Sequence, residues 1–309
     1  MAWPLLAALA AVAAPVPETT APETVPDVDI IDLEQERYRR MTVPVTIDGE
    51  GPFRFMLDTG AQATVVSRDL AERLALFDRS QATLVGLASA RQVETTPIEG
   101  VTLGSRMFYI RNAPVVETAH IGGADGILGL DSLQDQRVLL DFVNRQVAVA
   151  DAEDLGGNRG YEIVVRARQR LGQLIITHAR LDGIRVAVVV DSGAQGSIGN
   201  LELLRRFRHS RNIGRTELTD INGVKMTGAV KLGAELQIDR ARLHNIPIMF
   251  AESPTFAALG LDDEPALILG MEQLKLFRRV AIDFKTRRVL FDLPPQARIA
   301  GREAFSAFR

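Results

Sequence analysis

Two short apolar strands joined by a tight turn are the first clear pattern along the chain. In VTIDGEGPFRFMLDTGAQATVVSRDLAERL, residues 45–74, apolar residues lie on both sides of Asp48-Gly49. An Asp-Gly pair between strands predicts a hairpin, because glycine tolerates a positive φ. The second strand ends at Asp58, and a helix is predicted after Ser67, whose side chain suits an N-cap. The segment therefore predicts a strand, a turn, a strand, a polar loop and a helix.

The same pattern occurs a second time, and this repeat is the most informative feature of the sequence. ARLDGIRVAVVVDSGAQGSIGNLELLRRF, residues 179–207, has its loop aspartate at Asp191 and its predicted N-cap at Asn200. Each copy is followed at a similar distance by Ile-Leu-Gly and then by Asp-Phe. Two copies in register imply a duplication. We therefore expect two similar lobes, mainly β, with a few short helices.

The N-terminal residues differ in composition from the rest of the chain. Residues 1–14 hold a short apolar segment and an Ala-x-Ala pattern, as a secretory signal peptide does, although no Lys or Arg precedes the segment. A frayed alanine-rich terminus is the alternative. Residues 15–32 are rich in Pro, Thr and acidic residues and predict an extended linker. We expect an exported protein, periplasmic or secreted.

The predicted organisation follows from the repeat and this leader, with folding expected from about residue 33. The predicted segments are a signal peptide at 1–14, a linker at 15–32, an N-terminal lobe at 33–150, an inter-lobe linker at 151–160, a C-terminal lobe at 161–293 and a tail at 294–309.

Composition and charge exclude several classes of function. The chain has 309 residues, 46% hydrophobic and 24% charged, so it is long enough for two cores. A formal net charge of −3 does not indicate the basic surface that nucleic-acid binding requires. The arginines within residues 203–212 are interpreted as a solvated helix face. The absence of cysteine excludes disulfides, thiolate metal sites and a cysteine nucleophile. The four histidines are scattered and form no H-E-x-x-H motif, so no zinc site is expected.

The two loop aspartates are the candidate chemistry. Asp58 and Asp191 each follow an apolar strand, where a carboxylate loses hydration unless partners or a shifted pKa compensate. Asp-Thr-Gly-Ala and Asp-Ser-Gly-Ala, each answered by Ile-Leu-Gly, resemble the motifs of the aspartic proteases, and the resemblance covers about residues 37–293. Each half is similar to a retroviral-protease (retropepsin) subunit, because it is short and carries Ala61 or Ala194 where pepsin-like sequences commonly have Ser. The resemblance implies two acid-protease barrel lobes with a central cleft.

The resemblance also implies an activity. Two neighbouring aspartates cannot both ionise cheaply, so the pair holds one proton and acts as acid and base toward a water. The implied function is that of an aspartic endopeptidase, a hydrolase acting on an extended peptide or protein, with Asp58 and Asp191 catalytic and with no metal or organic cofactor. We expect a monomer that forms an intramolecular pseudo-dimer, with no stable membrane insertion after signal removal. The alternatives are a non-catalytic peptide- or protein-binding module and a purely structural exported protein.

The neighbours of the aspartates receive roles from the same resemblance. Thr59 and Ser192 match hydroxyls that cross-link the two loops, whereas Gly60 and Gly193 let backbone donors approach the carboxylates. Two further hydroxyls are expected to stay local and bond the loop backbone. Because the two alanines cannot donate as Ser does, we expect higher pKa values for the pair than in pepsin. The residues assigned to loop support are Thr59, Gly60, Ala61, Thr64, Ser192, Gly193, Ala194 and Ser197.

Two hairpins are the candidates for flaps that cover the substrate. They span residues 84–94 and 218–228, the second with its turn at Asn222-Gly223. Flap closure would exclude water and add strand-like contacts to an extended peptide. The substrate-binding candidates are residues at the flap tips and the glutamine after each loop alanine, namely Gln62, Gln195, Gly86, Ala88, Asn222 and Gly223.

Overall fold

The chain folds almost entirely as β-structure, as the repeat predicts. The computed structural model describes residues 29–32, 34–35, 41–207 and 210–295. Strands of the first half are β1 (Asp29–Asp32), β2 (Glu34–Gln35), β3 (Met41–Ile47), β4 (Glu50–Leu57), β5 (Val65–Ser67), β6 (Ser80–Val85), β7 (Ala90–Leu103), β8 (Arg106–Val116), β9 (Gly126–Leu128), β10 (Arg137–Asp141) and β11 (Gln146–Ala150). Strands of the second half are β12 (Ile163–Arg166), β13 (Arg168–Arg170), β14 (Gln173–Leu181), β15 (Ile184–Val190), β16 (Ser197–Gly199), β17 (Arg211–Thr219), β18 (Lys225–Ile238), β19 (Ala241–Phe250), β20 (Ala266–Leu269), β21 (Arg279–Asp283) and β22 (Arg288–Asp292).

The helices are short and lie at corners of the sheets. They are α1 (Arg68–Arg73), α2 (Leu130–Leu133), α3 (Leu201–Arg206), α4 (Pro254–Ala258), α5 (Met271–Leu274) and a 3-10 turn at Thr118–Ile121. The predicted N-caps are confirmed, because the Ser67 hydroxyl accepts from the Leu70 N–H and the Asn200 side chain accepts from the Leu203 N–H. Among the residues placed by the structure, no helix has the length and apolar character needed to cross a bilayer.

Two eight-stranded sheets with the same strand order form the two lobes. The N-terminal order is β2-β3-β4-β9-β5-β8-β7-β6, and the C-terminal order is β13-β14-β15-β20-β16-β19-β18-β17. In each lobe an additional pairing, β3 with β7 or β14 with β18, curls the sheet back on itself like a barrel. Strand for strand, the two orders correspond, so the sequence repeat is a structural repeat.

The turns that open each repeat have the predicted geometry. Asp48 and Gly49 have φ of 51° and 81°, and Asp182 and Gly183 have φ of 47° and 81°. Asp and Gly adopt this left-handed conformation more readily than β-branched residues do. The Asp-Gly pairs therefore fix where β3 turns into β4 and where β14 turns into β15.

A third sheet joins the lobes. Its order is β1-β11-β10-β21-β22-β12, so hairpins from the two halves pair side by side. At its centre β10 runs antiparallel to β21, with Leu139 opposite Ala281. The main apolar core is continuous through both lobes and this shared sheet, and the inter-lobe segment 151–160 forms turns between β11 and β12.

One boundary differs from the sequence-based expectation. Residues 29–32 belong to the predicted linker, yet they form β1 and pair antiparallel with residues 146–149 of β11. Residues 29–32 contain neither Pro nor Thr, and the edge of β11 offers unpaired backbone groups to an extended segment. Folded structure therefore begins before residue 33. The predicted signal peptide and most of the predicted tail lie outside the described residues.

Candidate active site

The strand Ile-Leu-Gly of each half holds the backbone of the aspartate in the same half. β4 runs parallel to β9, and the Asp58 N–H donates to the Leu128 carbonyl at 3.1 Å. In the other lobe β15 runs parallel to β20, and the Asp191 N–H donates to the Leu269 carbonyl at 3.1 Å. The Ile-Leu-Gly segments recognised in the sequence therefore pair with the strands that precede the aspartates, and this pairing fixes each aspartate at the end of a buried strand.

Each carboxylate accepts two backbone hydrogen bonds from its own loop. Asp58 Oδ1 accepts from the N–H groups of Gly60 at 2.8 Å and Ala61 at 2.9 Å. Asp191 Oδ1 accepts from Gly193 at 2.8 Å and Ala194 at 3.1 Å. Because these donors favour the charged form, each loop offsets part of the cost of placing a carboxylate in an apolar setting.

The two carboxyl groups meet between the lobes. Besides burial, the negative charge of Asp58 acts directly on Asp191 and raises its pKa. A Cβ built on Gly60 would overlap the Asp191 carboxyl group, and one built on Gly193 would overlap that of Asp58. Each loop glycine thus makes room for the aspartate of the opposite lobe, a steric requirement in addition to the predicted approach of backbone donors.

The proximity of the carboxyl groups changes the protonation of the pair. Burial, and after it the negative charge of Asp58, raise the pKa of Asp191 to about 8. The N–H groups of Ala194 and Gly193 oppose this shift. A carboxyl group with this pKa keeps its proton at neutral pH. The arrangement thus provides a proton donor beside a second carboxyl group, which is the requirement for concerted acid and base chemistry.

Two buried hydroxyls tie the active-site loops together. Thr59 Oγ1 donates to the Val190 carbonyl and accepts from the Ser192 N–H, both at 3.1 Å. Ser192 Oγ donates to the Leu57 carbonyl at 2.9 Å and accepts from the Thr59 N–H at 3.0 Å. Each hydroxyl therefore bonds the strand end and the loop of the opposite lobe. These four hydrogen bonds hold the two aspartate loops together. They are made by Thr59 and Ser192, the two residues to which the resemblance assigned the cross-link.

A family model described as aspartyl protease matches the chain twice, over residues 43–132 and 177–273. The two matches cover more than half of the chain. The chain belongs to the aspartyl protease family. The double match corresponds to two fused retropepsin-like halves, each with one aspartate loop and one Ile-Leu-Gly strand. No curated protein matches the chain.

Thr64 and Ser197 of the two loops reach further than predicted. Thr64 Oγ1 donates to Asp131 at 2.6 Å and accepts from the Gly129 N–H at 3.1 Å. Ser197 Oγ donates to Gln273 Oε1 at 2.6 Å and accepts from the Gly270 N–H at 3.3 Å. The expectation of local loop bonds is corrected, because both hydroxyls bond the Ile-Leu-Gly glycine and the helix after it.

The two predicted flaps are hairpins, β6 with β7 and β17 with β18. Their tips contact each other. Asp220 Oδ2, from the turn after β17, accepts from the Ala88 N–H at 3.1 Å and the Ser89 hydroxyl at 2.7 Å. Asn222 Nδ2 donates to the Leu84 carbonyl at 3.2 Å and to Ser89 Oγ at 3.0 Å. The flaps therefore contact each other directly.

The predicted substrate-binding residues divide into two groups. A cavity of about 600 Å³ lies beside the Asp191 loop and under the second flap, and Gln195 lines it together with Gly193 and Ala194. Two flap residues predicted to bind substrate instead form hydrogen bonds to the opposite flap, Ala88 through its N–H and Asn222 through its side-chain amide. A Cβ on Gly86 would press on Asp220. The residues from the predicted set that do not line this cavity are Gln62, Gly86, Ala88, Asn222 and Gly223.

Three residues at the site were missed by sequence reasoning. Gln173 is buried at the start of β14, and its amide donates to the Gly60 carbonyl across the lobes. Leu87 lines the cavity from the first flap tip and packs on the core of the C-terminal lobe. Asp220 is buried and joins the flaps. The Asp-x-Asn-Gly turn was a usable signal for Asp220, whereas Gln173 lies before the repeated segment.

Three further acidic residues, near turns and strand ends, have structural contacts. Asp125 accepts from the Arg54 N–H at 2.7 Å, and Asp141 accepts from two N–H groups of its own turn. Asp283 is fully buried and pairs with Arg137 at 2.7 Å. On α3, exposed Arg205 and its neighbour Arg206 pair with the carboxylate of Glu202 and form the predicted solvated helix face. Arg211 of the same segment is exposed at the start of β17 and does not belong to that helix.

Proposed function

We propose that the chain is an aspartic endopeptidase in which Asp58 and Asp191 activate a water against a peptide bond. The observation that carries the proposal is the close approach of the two carboxyl groups, each of which occupies the space where the glycine of the opposite loop would carry a Cβ. The pKa of Asp191 is raised to about 8, by burial and in part by the charge of Asp58. The glycines at positions 60 and 193 leave room for the two carboxyl groups, and the reciprocal hydroxyl contacts hold the two loops together. A pair of carboxyl groups that shares one proton is able to donate and accept in the same step.

The proposed reaction uses the two carboxyl groups in opposite protonation states. Asp58 takes a proton from a water held between the pair, and the water oxygen forms a bond to the peptide carbonyl carbon. Asp191 gives its proton to the carbonyl oxygen, which produces a gem-diol. When the carbon–nitrogen bond breaks, the proton on Asp58 passes to the leaving amine, and a hydroxyl proton of the gem-diol returns to Asp191. No net proton is gained or lost by the pair.

The expected partner is an extended peptide or protein that lies in the cleft beneath the flaps. Both aspartates are on one chain and the shared sheet joins the lobes, which supports activity as a monomer. Export to the periplasm or outside the cell is proposed from the apolar segment within residues 1–14 alone.

Asp58→Asn and Asp191→Asn test the catalytic proposal. Each change keeps the shape of the side chain and removes the shared proton, so we expect cleavage of a peptide library to fall by at least about 10³-fold with the fold retained. Product formation is followed by mass spectrometry, and circular dichroism checks the fold. Undiminished cleavage by either variant would contradict the proposal.

A binding measurement separates an enzyme from a non-catalytic clamp. A peptide analogue with a statine-type hydroxyl in place of the scissile carbonyl imitates the tetrahedral species, so it should bind the wild type at least about tenfold more tightly than the plain peptide. The two Asn variants should lose this preference. Equal binding of both ligands by the wild type would favour the clamp.

A further inference from the structure

The cavity beside the Asp191 loop has apolar walls. Leu87 comes from the first flap, Leu218 from the second, and Ile198, Val230 and Met249 from the C-terminal lobe. Ile198 and Met249 are buried core residues, so this part of the wall is rigid. Gly193 and Ala194 of the aspartate loop form the side nearest the proposed catalytic pair. A substrate side chain next to the scissile bond is therefore the natural occupant of this space.

Two carboxylates also line the cavity, and they differ in their partners. Glu217 pairs with Lys225 at 2.9 Å, so its charge is balanced. Glu272, at the start of α5, is exposed, and its carboxylate has no hydrogen-bond or ion-pair partner among the described residues. Its Oε2 is the nearest atom to a Cβ built on Gly196, at 3.7 Å. His120 is the remaining titratable residue of the lining.

The other lobe shows what an acidic residue does at the position of Glu272. Asp131 is two residues after Gly129, as Glu272 is two residues after Gly270. The Asp131 carboxylate accepts from the Thr64 N–H at 2.9 Å and from its hydroxyl at 2.6 Å. Thr64 Oγ1 also bonds the Ser132 hydroxyl at 2.7 Å, and Ser132 is three residues after Gly129, as Gln273 is three residues after Gly270. In the C-terminal lobe the hydroxyl equivalent to Thr64 is that of Ser197, which bonds Gln273. The contact of the Ser132 position is therefore kept, whereas no described bond joins Ser197 to Glu272, so the Glu272 carboxylate is available to a ligand.

We propose that Glu272 makes this cavity a subsite for a lysine or arginine side chain of the peptide substrate. This inference rests on the proposed peptidase function and adds a substrate class to it. The apolar walls match the aliphatic stem of either residue, and the carboxylate matches its cationic end. A charge-assisted hydrogen bond to Glu272 costs no existing intramolecular bond of that carboxylate. Glu272 is therefore the specificity-determining residue of this side of the cleft.

Matched peptides test the subsite. One series carries lysine in turn at each position from four before to four after the cleavage site, and the second carries norleucine, which has a similar stem without charge. We expect one position at which wild-type kcat/KM is about tenfold higher for lysine. Glu272→Gln should bring that ratio close to one, and Glu272→Lys should invert it. Asp262→Asn removes an exposed charge outside the cavity lining and should leave the ratio unchanged.

The same peptides distinguish failure of the subsite from failure of the enzyme. Binding of fluorescent lysine and norleucine peptides to the Asp58→Asn protein reports the subsite without turnover. A Glu272-dependent lysine preference in binding supports the subsite even when the wild type cleaves nothing, an outcome that refutes only the peptidase. Cleavage or binding with no lysine or arginine preference, or a preference that Glu272→Gln leaves intact, overturns the inference.

Discussion

Asp191 is the residue at which the electrostatics of the molecule are most informative. The sequence predicts a raised pKa from the missing hydroxyls at Ala61 and Ala194. Relative to a free aspartate, the pKa of Asp191 is raised mainly by burial and then by the negative charge of Asp58. The alanines in fact contribute donors, because their backbone N–H groups bond the carboxylates. The depth of a carboxyl group is a tertiary property, so a single motif cannot report it.

The pH dependence of activity follows from the proton on Asp191. With its pKa raised to about 8, the donor is present below that pH and is lost above it, so kcat/KM should fall on the alkaline side with a midpoint near pH 8. The profile is measured with one good peptide between pH 3 and pH 10. Activity that has already vanished at pH 6 with the fold intact would contradict this protonation state.

Stability should depend on pH through the same group. The pKa of Asp191 is raised from 3.8 to about 8 by folding, so the folded state binds the proton more strongly, and the free energy of unfolding falls as pH rises from about 4 to 8. For one proton the slope cannot exceed about 1.4 kcal/mol per pH unit. Asp191→Asn cannot ionise, so its melting temperature should fall less over this range than that of the wild type. Identical slopes for the two proteins would exclude Asp191 as the source.

At the scale of elements, the sequence predicts the two hairpin flaps and both N-caps, because turns and caps depend on a few adjacent residues. It does not predict that the flap tips bond each other. Leu87 of the first flap packs against the C-terminal lobe, and Ile221 of the second packs against an apolar cluster of the N-terminal lobe. Such a crossing depends on the relative placement of lobes, which local patterns do not encode.

Loss of one hydroxyl should loosen the flap contact. Ser89 Oγ donates to Asp220 and accepts from Asn222 Nδ2, and a hydrogen bond of this kind contributes about 0.5–1.5 kcal/mol. In Ser89→Ala, we expect amide hydrogen exchange in residues 86–89 and 220–224 to accelerate by up to about tenfold. Thr83→Ala is the matched control, since the Thr83 hydroxyl accepts a hydrogen bond from Gln92 of its own hairpin and has no other described side-chain partner. Acceleration in both variants alike would show that the contact between flaps is not responsible.

At the scale of the whole molecule, the duplication and the two barrel lobes were predictable, whereas the shared sheet was not. The repeat shows that β10–β11 and β21–β22 are equivalent hairpins, but not that they pair with each other. Their pairing places Arg137 opposite Asp283, where the two side chains form a buried ion pair between lobes. Arg137 also bonds the Gly157 carbonyl and Asn158 of the inter-lobe segment.

One chain should therefore be sufficient for activity. The lobes are joined covalently and through the shared sheet, so the proposed pair assembles without a second molecule, and specific activity should not change on dilution. The measurement is the initial rate per mole of protein from about 1 nM to 1 μM, with gel filtration at the upper end. A specific activity that declines at low concentration would show that a dimer is required.

The covalent union of the halves also removes a constraint on their sequences. In an assembly of two identical subunits, any residue placed on one wall of the cleft appears on the other wall as well, because symmetry copies it. Here the two positions that follow the Ile-Leu-Gly strands carry Asp131 and Glu272, one tied to Thr64 and one without a described partner. In the proposed enzyme, one wall of the cleft thus serves rigidity and the other serves recognition, and this asymmetry would distinguish the two directions of a bound peptide.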